Sequence, residues 1–93
     1  MKKSEVLQEI LLNLKNLNDE NFKNIIVNNN EIIVFFTNPM AEKDAEIVIN
    51  RLSEKIIVVL YKLYSAKKIV NIPILNWNAM EKDGIVNGVK VEI

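Results

Sequence analysis

From Arg51 to Lys68 the chain carries no glycine, proline or asparagine, and Ile56-Ile57-Val58-Val59-Leu60-Tyr61 at its centre is apolar at every position. Two local structures could hold such a run. A strand would suit its β-branched residues. A helix suits the absence of any turn residue between the run and the segment before it. The reading here is a helix from Pro39 to Ala66, about 40 Å long. Asn38 would be its N-cap and Pro39 its first residue. Glu42, Asp44 and Glu46 would lie in its early turns, with Lys62, Lys67 and Lys68 near its end, as the helix dipole favours.

One stripe along this helix reads Ala41, Ala45, Val48, Leu52, Ile56, Val59, Leu63, Ala66. A second reads Ile49, Ile57, Leu60, Tyr64. A helix that is apolar all round must be covered all round. A small sheet covers one side only, so the other side needs the first helix or a second chain. Ile56, Ile57, Leu60, Tyr61 and Tyr64 are therefore the expected interface of a homodimer. Burying two or three more such side chains would contribute on the order of 5 kcal/mol before association costs.

The remaining elements follow from shorter-range signals. Val6, Leu7, Ile10, Leu11, Leu14 and Leu17 recur at helical spacing, giving a helix over residues 4–17 with Ser4 as N-cap. Asn18-Asp19-Glu20-Asn21 ends it. Asn24–Val27 and Glu31–Thr37 flank three asparagines and read as a hairpin, since asparagine tolerates positive φ. Ile32–Phe36 is apolar on both faces, as a strand covered on both sides would be. Lys68–Asn76 reads as an edge or bulged strand because Pro73 cannot donate to a ladder. Residues 77–84 read as a loop. Asn87-Gly88 is the strongest hairpin signal and Asp83-Gly84 competes with it; one should form the turn and the other a bulge. Val89, Val91 and Ile93 alternate with Lys90 and Glu92 in a half-exposed strand that runs to Ile93.

The predicted order is α-β-β-α-β-β, a single α+β domain over residues 1–93. Two helices pack on a mainly antiparallel sheet of four to five strands. Apolar residues make up 49% of the chain, which separates it from disordered sequences. The longest apolar run is too short to span a bilayer, and Glu5, Gln8, Glu9 and Asn13 break any signal-like opening. The expected setting is cytoplasmic, with no membrane partner.

The chemical repertoire is narrow. The chain has no histidine, no cysteine and two glycines. Thiolate and imidazole catalysis, zinc or iron–sulfur ligation and a glycine-rich phosphate loop are all excluded. Glu42, Asp44 and Glu46, or Glu81 and Asp83, match no metal-binding spacing and read as solvated carboxylates. Tyr61 and Tyr64 read as packing residues, and no cofactor is expected. The functional expectation is a non-enzymatic, homodimeric module that binds another protein. No motif ties it to a known family.

Charge offers a rival reading. Residues 1–46 hold five lysines and eight acidic residues; residues 47–93 hold seven basic and four acidic ones. Arg51, Lys55 and Lys62 fall at near-helical spacing. With Lys67, Lys68 and the stacking ring of Trp77 they form a candidate nucleic-acid face. Zero net charge weighs against it, and Trp77 reads first as a lid on the core.

Overall fold

The structure is a computed structural model that describes residues Met1–Ile93. Its order is α1 (Lys3–Asn16), β1 (Phe22–Asn28), β2 (Glu31–Ala41), α2 (Glu42–Ser65), β3 (Asn76–Lys82) and β4 (Ile85–Glu92). The four strands form one antiparallel sheet in the order β1-β2-β4-β3. The predicted α+β architecture is the observed one, with four strands.

Helix α1 lies one residue earlier at each end than expected. Its N-cap is Lys2 rather than Ser4, and the Glu5 carboxylate accepts the Lys2 backbone N–H at 2.9 Å. This satisfies one of the donors that a helix start leaves free. Val6, Leu7, Ile10 and Leu14 are buried on its inner face. Asn18 at φ +51° then turns the chain, and the Asp19 carboxylate accepts the Asn21 backbone N–H at 2.9 Å. The β1–β2 hairpin closes through Asn29 at φ +56°, between the paired residues Asn28 and Glu31.

Asn38-Pro39 does not start the second helix. It lies within β2, where pairing with β4 is interrupted between Phe35 and Met40. A proline, lacking N–H, costs no ladder bond there. Thr37 anchors the excursion: its N–H donates to Asn21 O at 2.8 Å and its hydroxyl to Glu20 O at 2.6 Å. Met40 and Ala41 then rejoin β4 opposite Val86 and Ile85, and α2 starts only at Glu42. The helix is about 36 Å long at its 24 residues. Residues 56–61 are helical, as the uninterrupted run implied. Lys67 at φ +59° ends the segment; its N–H donates to Tyr64 O and that of Lys68 to Leu63 O.

The expected strand over 68–76 does not form. Ile69, Ile72 and Leu75 pack on the core at intervals of three, which strand alternation forbids. Val70 and Ile74 are left outside. Residues 76–82, expected as a loop, form β3 instead. Asp83 (φ +53°) and Gly84 (φ +79°) make the two-residue hairpin turn, with Lys82 paired to Ile85. The Glu81 carboxylate accepts the Gly84 N–H at 2.7 Å.

Asn87-Gly88 is the bulge, not the turn: between Val86 and Val89, both buried, β4 holds one residue more than β3. A Cβ at Gly88 would run into the Val34 carbonyl oxygen, whereas one at Gly84 would meet open space. Gly88→Ala is expected to cost about 1–3 kcal/mol by overpacking. Gly84→Ala should cost about 1 kcal/mol for its positive φ alone. Urea titration of both variants checks the ranking, and equal midpoints would contradict it.

Both helices lie on one face of the sheet. There Ile25, Ile32, Val34, Phe36, Val86, Val89 and Val91 meet the inner residues of α1 and α2 in one core. The other face is open, so β2 is not covered on both sides as expected. Ile33 is nevertheless only 8% exposed on that face, flanked by its cross-strand partners Ile26 and Lys90.

Candidate interaction surface

The inner face of α2 is completed within one chain. Ala45, Val48, Leu52, Ile56, Val59, Leu60 and Leu63 are all buried. Two of the five residues expected at a dimer interface are thereby reassigned: Ile56 and Leu60 are 0% exposed and belong to the chain's own core. The other three stay outside. Ile57, Tyr61 and Tyr64 keep 39%, 55% and 47% exposure, joined by Val58 at 51% and Ile47 at 61%.

Their spacing explains the arrangement. Ile47, Glu54 and Tyr61 are seven residues apart and fall on one line along the helix; Ile57 and Tyr64 fall on a line beside it. The lower half of α2 therefore presents a continuous apolar patch from Ile57 to Tyr64. Exposed Glu54 separates that patch from Ile47. A shallow hollow lined by Val58, Tyr61, Lys62, Ser65 and Ala66 indents the patch.

Arg51, Lys55 and Lys62 share one flank of α2, as their spacing implied, but they do not form one surface with Trp77. Arg51 and Lys55 line a hollow with Asp19, Glu20 and Phe22, on the β1 side of α2. Arg51 Nη2 lies 3.7 Å from Asp19 Oδ2, with the guanidinium side chain 60% exposed. Such an exposed pair is worth little, but it places carboxylates among the cations. Trp77 is on β3, at the opposite edge of the sheet, where it pairs with Val91 and packs on the core. It is the lid that its place beside a polar segment suggested, and it does not join Arg51 and Lys55 on one surface. Lys67 and Lys68 follow the end of α2, and Lys68 O accepts from the Met1 ammonium at 3.2 Å.

Nothing in the fold brings three acidic side chains to metal-binding distance. Asp19, the acid shared by the two hollows beside β1, already accepts the Asn21 N–H and side-chain amide at 2.9 and 3.0 Å. It holds the α1–β1 loop in shape. Glu42 and Asp44 occupy the first turn of α2, as the dipole favours.

A third surface was not foreseen. On its β3 side, α2 leaves a hollow of about 410 Å³, floored by Ala45, Ile49, Ala79 and Val86 and rimmed by Glu42, Glu46 and Glu81. The sequence signal for it was Asp83-Gly84, the turn that makes residues 76–82 a strand.

No helix is long and apolar enough to cross a membrane. Comparison with protein-family models, with curated proteins and with solved structures finds no match to this chain.

Proposed function

We propose that this chain is a non-enzymatic interaction module that pairs with a second copy through the outward face of α2 and binds another protein. One observation carries the reading. Ile57, Val58, Tyr61 and Tyr64 form an exposed apolar patch on a helix whose inner face is already filled. Scattered surface apolar residues need no explanation, but a contiguous patch built from two tyrosines and two β-branched residues does.

A helix packed on its own copy about a two-fold axis brings each patch against the same patch of its partner. A contact confined to one helix face falls at the small end of stable interfaces, so the dimer is expected to be weak. The absence of histidine and cysteine supports a binding role over a catalytic one. Nucleic-acid binding through a basic face of α2 is the alternative, supported by the shared flank of Arg51, Lys55 and Lys62. The carboxylates of Asp19 and Glu20 beside that flank weigh against it.

Sedimentation equilibrium tests the reading directly. A monomer–dimer equilibrium with a dissociation constant near or below about 100 µM is expected, the range of weak specific contacts. A monomer throughout that range would remove the pairing.

A further inference from the structure

We propose that the open edge of β3 takes an added strand from a partner, an extended peptide with an apolar residue flanked two positions away on each side by lysine or arginine. This rests on the reading of the chain as a binding module, but not on the pairing of α2.

Three observations converge on β3. The first is the edge itself. β1 and β3 are the outer strands, so each leaves one row of backbone N–H and C=O groups unpaired. Native sheets blunt such edges with bulges and charges. In β1 the extra residue between Phe22 and Asn24 is Lys23, so the bulge and its charge lie in the edge strand itself. At the β3–β4 irregularity the extra residue is in β4, next to Gly88. β3 keeps an unbroken run along its free side.

The second observation is the space beside it. Ala79 pairs with Val89, a core residue, and so lies on the face of the sheet that the helices cover. It is nevertheless exposed, because α2 packs over β2 and β4 and its own side chain is short. A residue opposite Ala79 on an added strand would have its Cβ about 4.5–5.5 Å away. Its side chain would stand over the hollow floored by Ala45, Ile49 and Val86. The hollow thus extends the core outward by one strand.

The third is charge. Glu42, Glu46 and Glu81 rim the hollow, and neither Lys43 nor Lys82 lines it. An apolar side chain entering there passes three carboxylates, and the residues two positions away on the peptide share its face of the sheet, one of them opposite Glu81; cations are favoured at those positions. Strand addition of this kind takes its affinity from main-chain hydrogen bonds and its selectivity from pockets at alternate residues.

The probe is a fluorescein-labelled nine-residue peptide with valine at its centre, lysine two residues before and two residues after it and threonine elsewhere, titrated by anisotropy at low salt against the full chain. Saturable binding below about 1 mM is expected. A peptide with glutamate in place of lysine should bind at least about tenfold more weakly. Two further peptides carry N-methyl groups on one or the other alternate set of amides. Loss with only one of them supports strand addition; equal behaviour of the two overturns it. Glu46→Lys should weaken the lysine peptide and strengthen the glutamate one. Ala79→Trp, which fills the hollow, should weaken the parent peptide at least about tenfold. No binding of the lysine peptide at about 1 mM, or indifference to both substitutions, overturns the proposal.

The titrations are repeated on Tyr61→Glu, which carries a charge on the α2 patch. Binding that survives there stands even if α2 pairing fails. If the peptide instead dissociates a wild-type dimer, the β3 edge belongs to a second copy and the separate partner is overturned.

Discussion

Replacing Ile56 by alanine is expected to lower folding stability by about 3–4 kcal/mol, while the same change at Ile57 costs less than about 1 kcal/mol. Ile56 is 0% exposed and belongs to the single core of the fold. Removing three carbons there forfeits their transfer free energy and leaves a cavity that rigid neighbours cannot close. Alanine's better helix propensity returns only about 0.4 kcal/mol. A domain of this size has roughly 5–14 kcal/mol in total, so the loss is a large share. The expected fall in melting temperature is about 12–25 °C. Ile57 is one residue further round the helix, 39% exposed, and outside the buried core. Urea unfolding with an unchanged slope measures both. Equal costs would mean that residues 56–61 do not present one side inward as described.

That contrast marks how far the sequence can be read. Spacing alone identified residues 51–65 as helix, because nothing in the run interrupts it. Spacing did not say which side faces the sheet. Ile56 and Leu60 look the same as Ile57 and Tyr61 until the direction of the core is known, and that direction comes from β2 and β4. Other departures share this origin. Asn38-Pro39 carries a strong local cap signal. It lost to the pairing of Met40 and Ala41 with Val86 and Ile85, some 45 residues away in sequence. Asn87-Gly88 is locally the stronger turn signal and Asp83-Gly84 its rival, yet the rival forms the turn. The close approach of Val34 to Gly88 decides between them, since only glycine fits there. Residues 69–75 have the β-branched content of a strand, yet Ile69, Ile72 and Leu75 are drawn to the core at intervals of three. Elements set by periodicity were legible. Choices set by contacts between distant residues were not, and the hollow beside β3 is built wholly from such contacts.

The α2 patch makes the second large prediction. Tyr61→Glu should abolish self-association, raising the dissociation constant at least about 30-fold, the effect of truncating a central tyrosine anchor. The position suits the test. Tyr61 is flanked by Ile57, Val58 and Tyr64, so a two-fold contact through the patch dehydrates whatever replaces it. A carboxylate there loses its water without a partner cation. Because Tyr61 is 55% exposed in one chain, folding stability should change by no more than about 0.5 kcal/mol. Glu54→Leu tests the same geometry in the opposite direction. Glu54 lies midway between Ile47 and Tyr61 on one line of the helix, and its replacement joins Ile47 to the patch. Association should tighten by about tenfold, one buried apolar side chain's worth. Sedimentation equilibrium on both variants, beside the unfolding midpoint of each, separates association from folding. Unchanged self-association in Tyr61→Glu would move the contact away from α2, because no symmetric packing of this helix face keeps residue 61 in water.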